Sequence, residues 1–524
     1  MNLSLRYALC GLVLGWLAVE TEAHAGGLYV AQRGVRPLGR GGAFVAGADD
    51  LGAIGYNPAG IFDADGQFLF DGSALIFGSS YTRQALLRQV DPNTGETINT
   101  YEQTFPTVEG SAPPIPIPTL AVSFVPHEDW RVAVGVFAPD AVLPTYPGEV
   151  DGQPAPQRYQ LLSLDGSILA SLGGYVAWRP VKELTLGVGF ELLVGTFTSR
   201  QVLSGCLPER FFCAPEDTEW DLEAEIAAGP IIAPTGILGV TWEFYEGLRL
   251  GGSFHLPTYV RAPATLTTRL PDAAPYRTSE IIGEDASLEF ELPWEARIGV
   301  EARDLVKGLR VEVAADFQYW AIHDEISVLP DGVAITNLPG FPKEYYLPEI
   351  TIPRGFQSSI AGMIGAEYSI PASDTVTVTP RLGFSYETSA VPAAYQSVLT
   401  LDSGKATPSV GLGVSFGDAR VDVVYAHQFI QTVETAPEEA RLAQVVPVQA
   451  NASDTANTIN GGLYSWHLDI IGAGFTYTYE RAPAAAPAPV ADPPKAKPAS
   501  PEKEPEAEAE ATPEDAEPAK DAAD

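Results

Sequence analysis

One arrangement in this sequence has the spacing a hydrolase uses. Gly413-Val414-Ser415-Phe416-Gly417 matches Gly-x-Ser-x-Gly, the nucleophile elbow in which a serine is held exposed on a sharp strand-to-helix turn. Its neighbours deny it that turn, because Val410 to Phe416 alternates like a strand and Gly417-Asp418 follows with no helical pattern behind it. His127, His255, His323, His427 and His467 are scattered, without the paired or clustered spacing that holds a metal ion. Phosphate-loop and dinucleotide fingerprints are missing as well. An enzyme, a bound metal and a cofactor are therefore not expected. The chemistry left is binding: an apolar cavity with a few polar groups to orient a ligand. A carboxylate ligand needs a cation, and Arg297, Arg310 and Arg381 are the head-group candidates, each serving equally well in a salt-bridged wall.

The cysteines divide by position. Cys10 sits in an apolar leader, while Cys206 and Cys213 share one polar stretch, and an exported pair so close in sequence forms a disulfide most simply. The leader itself, residues 1–25, has a basic start, an apolar run too short to span a bilayer as a helix, and Ala23-His24-Ala25 before Gly26. It reads as a secretory signal peptide.

The elements that would position a ligand site follow from periodicity. Over residues 67–481 apolar and polar residues alternate in runs of strand length. Leu184, Leu186, Val188, Phe190, Leu192 and Val194 share one face against Glu183, Thr185 and Glu191; Leu309, Val311, Val313, Ala315 and Phe317 oppose Arg310, Glu312 and Asp316. Val421, Val423 and Tyr425 repeat the pattern against Arg420 and Asp422. Charges of both signs at mid-strand suit a polar or plugged lumen with lipid outside. No apolar stretch after Gly26 is long enough for a spanning helix, and 50 Gly, 21 Tyr and 22 Phe fit short-turned strands with aromatic ends. Tight turns such as His127-Glu128-Asp129 and Gly417-Asp418 alternate with long polar connections, expected at 86–114, 204–218 and 436–461. The formal charge of −36 repels nucleic acid and excludes it as a partner. Residues 482–524 turn to Ala, Pro, Glu and Lys without periodicity and read as a disordered periplasmic tail, a possible periplasmic contact.

Between leader and first strand, residues 26–66 are rich in small residues. They contain Gly39, Gly41, Gly42 and Phe44, the acid pair Asp49-Asp50, and the turn Asn57-Pro58-Ala59-Gly60. Glycine permits close backbone approach and positive φ, and Asn-Pro enforces a turn, so this segment can fold compactly in a narrow space. In order and spacing it resembles the amino-terminal hatch of the FadL-type outer-membrane transporter family. Glu291-Leu292-Pro293, Trp320 and the stretch from Pro380 through Tyr386 to Pro392 extend that resemblance into the later strands.

The resemblance implies an all-β fold: a transmembrane antiparallel barrel of about 14 strands plugged by a hatch. It also implies passive transport of hydrophobic small molecules, long-chain fatty acids or aromatic hydrocarbons, across a Gram-negative outer membrane. Substrate would leave sideways into outer-membrane lipid at a kink in the third strand, where Pro139 and Asp140 mark the candidate opening. A monomer is expected. The rival readings are a water-filled general porin and a structural, surface-interacting barrel. One departure stands out: family members end near a final aromatic strand residue, whereas Tyr477 and Tyr479 here precede the tail.

Overall fold

The computed structural model describes residues 33–90, 97–112, 114, 116–138, 144–207, 216–448 and 457–480. The expected signal peptide, Pro139, Asp140, Cys213 and residues 481–524 lie outside them. Among the described residues no helix is long and apolar enough to cross a membrane.

The period-two alternation is realised as a closed antiparallel barrel of fourteen wall strands, several of them interrupted once. In chain order they are β1 (Gly66–Val90), β2 (Thr97–Ser111, resumed at Pro116–His127), β3 (Trp130–Phe137) and β4 (Ile168–Val181). Then come β5 (Leu184–Ser204), β6 (Asp221–Tyr245) and β7 (Leu248–His255 with Thr258–Arg269). β8 joins Asp285–Leu292 to Glu295–Arg303, β9 joins Leu309–Gln318 to Glu325–Pro330, and β10 joins Ile350–Pro353 to Ser359–Tyr368. The last four are β11 (Val376–Glu387), β12 (Lys405–Phe416), β13 (Ala419–Ile430 with Val433–Thr435) and β14 (Gly462–Glu480). β1 and β14 pair through Phe70 and Phe475, which closes the wall.

Alternation sets the two faces. Phe190, Ile298, Val423 and Phe475 are exposed on the outside, whereas Glu301, Glu312, Asp316 and Arg381 are buried inside. Outward aromatics gather in two belts: Trp130 stacks on Trp178 near the short turns, and Trp294 packs against Phe254 and Tyr319 higher up. Such belts mark the two interfaces of a bilayer. Ser415 lies within β12, which leads through Gly417-Asp418 into β13, so the elbow spacing has no helix to follow it.

One expected loop is instead a hairpin. Residues 78–90 of β1 pair with Thr97–Ser111 of β2, so most of 86–114 is strand. Beyond the bilayer the outer face of a strand meets water, and the apolar-out signal used to find strands disappears there. The long connections expected at 204–218 and 436–461 are confirmed as mainly irregular among their described residues. Cys206 is disulfide-bonded.

Residues 33–65 lie inside the wall. They form one helical turn, Val35–Gly39, and two 3-10 turns, Leu51–Gly55 and Pro58–Asp63. The approach to the wall is backbone to backbone, and glycine is required where it occurs. A Cβ on Gly383 would sit 1.9 Å from the Gly41 nitrogen, and one on Gly41 would sit 2.4 Å from that of Phe384. Gly41 also has φ +63°, so two penalties meet at one residue. Gly41→Ala is therefore expected to cost about 1–3 kcal/mol. A lowered urea midpoint for this segment, read by limited proteolysis with the barrel still folded, would confirm the cost; wild-type resistance would contradict it.

Candidate ligand cavity

Above the internal segment, at the level of the upper aromatic belt, the lumen holds a cavity of about 100 Å³. Its apolar lining comes from Ile54 of the segment, Phe137 at the end of β3, Leu193 of β5, Ile237 of β6 and Leu292 of β8. Polar groups converge on it from Arg33, Glu191, His255, Glu295, Arg297 and Gln318. This is smaller than the engineered protein cavity of about 150 Å³ that holds benzene, so the space is at most that of one small ring.

Most of the polar lining is already satisfied. Glu191 accepts from Tyr175 Oη at 2.9 Å and lies 3.1 Å from His255 Nε2. Arg297 is paired with Glu295 and Asp316 and donates to the Gly55 carbonyl at 2.9 Å. Arg33 differs. Its guanidinium stands 4.7 Å from the Phe137 ring, its buried Nε has no hydrogen-bond partner, and it forms no ion pair with any described carboxylate. It is the cation of the lining most available to an aromatic face or an anion.

The cavity lies beside the end of the described β3 ladders. β2 and β3 pair up to Thr119 and Phe137, Ala138 N donates to the Pro118 carbonyl at 3.2 Å, and residues 139–143 lie outside the described ones. On the other side β3 pairs with β4 as far as Ser171, leaving Ile168 highly exposed. Phe137 and Ser171, which end these ladders, both line the cavity.

Beneath the cavity the internal segment is bound to the wall by buried ion pairs. Glu367 of β10 sits among four arginines: Arg36 at 2.7 Å, Arg310 at 2.9 Å, Arg381 at 3.1 Å and Arg40 at 3.5 Å. Arg40 also reaches Glu301 and Glu312, each at 3.0 Å. Glu312 accepts from the backbone nitrogens of Val45, Ala46 and Gly47 as well. Asp49 bridges Arg36 and Arg310, and Asp50 bridges Arg36 and Arg420. Burial pushes both acids up, but these arginines outweigh it and hold them below the usual carboxylate range. Asp63 is likewise held low, with Arg249 and Arg179 overcoming its burial.

The sequence candidates divide accordingly. Asn57 caps the Pro58–Asp63 turn through Ala59 and donates from Nδ2 to the carbonyls of Val45 and Val240, 2.9 and 3.0 Å away. Pro58 opens that turn, Ala59 is fully buried, and a Cβ on Gly60 would meet the Ala48 carbonyl at 2.5 Å. Gly39 lies against Gly411, Gly42 has φ +80°, and Phe44 packs edge-on to Tyr56. Of the three head-group candidates only Arg297 lines the cavity. Arg310 and Arg381 face the lumen lower down, Arg310 paired with Asp49 of the internal segment and Arg381 with Glu367 and Asp422 of the wall. Arg33, Phe137, Glu191 and His255 escaped the sequence reading, since they come from different elements and no spacing connects them.

Residues 16–463 match the family described as outer membrane protein transport protein (OMPP1/FadL/TodX). No curated protein matches the chain in sequence. Among solved structures, a Pseudomonas aeruginosa FadL homologue aligns with TM-score 0.62 at 14% identity, over 87% of this chain and 100% of its own. The P. putida toluene transporter TodX aligns with TM-score 0.55 at 16% identity, over 86% of this chain and 100% of its own. The Ralstonia pickettii toluene transporter TbuX gives 0.52 at 14%, over 85% and 98%. At such identities these structures share the fold.

Proposed function

We propose, for a chain that belongs to the outer membrane transport protein family (OMPP1/FadL/TodX), a plugged barrel that passes small hydrophobic molecules from its cavity sideways into outer-membrane lipid. Family membership makes it a transport protein of the Gram-negative outer membrane and places it among channels rather than enzymes. The finer reading rests on one observation, a cavity at the upper belt bounded by the residues where the β3 ladders stop.

In this reading residues 33–65 act as the hatch, barring the free path through the lumen that a general porin needs. Cargo entering the cavity meets Ile54, Leu193 and Ile237, whose apolar surfaces favour it over water. Arg33 and Phe137 orient an aromatic ring or an acidic head. Arg297 is neutralised in place and shapes the wall. The exit in this reading lies beside Phe137, where the described β3 ladders end, and no energy source is involved. Each barrel carries its own cavity, so a monomer suffices.

Of the two cargo classes, the small cavity volume is nearer to a single ring than to a long acyl chain. The experiment is uptake of labelled toluene and labelled oleate, each at limiting concentration, by cells lacking this gene with and without plasmid complementation. Selective loss of toluene uptake, restored by the plasmid, is expected. Unchanged uptake of both would return the weight to a structural barrel.

A further inference from the structure

The lumen side of β7 departs from the alternation that strands otherwise obey. Residues three apart on a regular strand point to opposite faces, yet His255 and Thr258 both line the cavity. The cause is the break between the two halves of the strand, Leu248–His255 and Thr258–Arg269. Pro257 has no N–H to offer a ladder, and Leu256 is tied to β6 through both of its backbone groups. Its nitrogen donates to the Gly236 carbonyl at 2.8 Å, and its carbonyl accepts from Thr235 Oγ1 at 2.9 Å. An irregularity of this kind re-aims side chains. Here it turns an imidazole and a hydroxyl from one strand toward the same space.

The imidazole is held by a short chain of hydrogen bonds. Its Nε2 lies 3.1 Å from one oxygen of Glu191, whose other oxygen accepts from Tyr175 Oη at 2.9 Å. A carboxylate only accepts, so in the neutral ring Nε2 carries the proton and Nδ1 is a bare acceptor. That nitrogen has no partner among the described residues, and the His255 side chain, although inward, is 25% exposed. Thr258 Oγ1 likewise makes no hydrogen bond to a described residue. The polar groups next to them on β8 and β9 are occupied. Gln318 donates to Glu295 and Asp316 and accepts from Trp320 Nε1, while Arg297 is ion-paired.

An open acceptor beside an open hydroxyl complements a group that donates and accepts at one atom. We propose that His255 and Thr258 form a subsite that reads a ring hydroxyl, so that the cavity selects phenols over bare hydrocarbons of the same size. This inference rests on the transport reading above and narrows its substrate class. The phenolic oxygen donates to His255 Nδ1 and accepts from Thr258 Oγ1, and the ring meets the apolar lining of Ile237 and Leu292. A methyl group in place of the hydroxyl leaves Nδ1 dry and unpaired, which is costly. Glu191 is a positioning residue, since it acts on the cargo only through the imidazole it orients.

The test is saturable binding of labelled phenol and labelled toluene, rings of near-equal size, to the full-length, membrane-inserted protein in lipid nanodiscs, with empty nanodiscs subtracted. His255→Leu removes the acceptor, His255→Gln keeps one on an amide that still donates to Glu191, and Thr258→Val removes the hydroxyl at nearly constant shape. The ratio of phenol to toluene affinity is expected to fall about tenfold in His255→Leu and about threefold in Thr258→Val, and to recover in His255→Gln. A merely structural role would lower both affinities alike. A ratio unchanged in the leucine and valine variants therefore overturns the subsite and leaves the transport reading intact. If heat-modifiable migration shows that His255→Leu does not assemble, Thr258→Val decides alone. Wild-type protein that binds neither ring overturns the transport reading, and the subsite with it.

Discussion

Glu367→Gln is expected to unseat the hatch while leaving the barrel assembled. Glu367 lies within ion-pair distance of Arg36, Arg40, Arg310 and Arg381, and its side chain is almost wholly buried. Glutamine keeps the shape and removes the charge, so the four guanidiniums repel one another with less compensation. Removing one partner of a buried pair costs about 3–5 kcal/mol, far more than an exposed bridge contributes. Two of these arginines belong to the hatch and two to the wall, so the loss falls on the interface between them. The wall has its own ladders, with Glu367 in β10 paired to Arg310 of β9 and Arg381 of β11. The measurement is single-channel conductance in planar bilayers, beside heat-modifiable gel migration as the assembly check. A conductance for small ions that the wild type lacks, with normal migration, is the expected outcome; a closed channel would show that the ion pairs do not hold the hatch.

The same network has a pH signature of known sign. Asp49, Asp50 and Asp63 are held below their unfolded values, so their contribution is complete above about pH 4, the ordinary carboxylate value. It is lost as pH falls below that value through the lower folded ones. The hatch should thus stay seated from neutral pH to about pH 4 and loosen only in stronger acid.

Leu193→Trp is expected to abolish transport without opening the barrel. Leu193 is buried and faces the cavity from β5, and indole in its place takes up much of a space of about 100 Å³. Filling a well-packed site costs about 1–3 kcal/mol, but an existing void absorbs the added volume at less strain. Labelled toluene uptake by complemented cells should fall to that of the deletion strain, with barrel assembly and hatch closure unchanged. Undiminished uptake would mean that cargo bypasses this cavity. The pair of variants separates two roles: Glu367→Gln acts on closure, and Leu193→Trp on passage.

Much of the architecture was readable along the chain. The alternation in 184–194 and 309–317 places Phe190 and Val313 outside and Glu191 and Glu312 inside, because a pleated strand sends successive side chains to opposite faces whatever its neighbours are. The small-residue stretch ending in Asn57-Pro58-Ala59-Gly60 could be read as a compact insert, since close approach and turning are local properties. Residues 86–114 failed the same test, because the apolar-out signal reports the surrounding solvent as much as the strand.

What the sequence determined by itself was therefore the kind of wall, the kind of insert and the absence of a catalytic spacing in the right context, all fixed by residue order over a few positions. Only the tertiary structure decided which charges are spent and which are available. Arg297, Arg310 and Arg381 look alike along the chain, yet the first lines the cavity, the second holds Asp49 of the internal segment and the third pairs within the wall with Glu367 and Asp422, while Arg33 gave no signal at all.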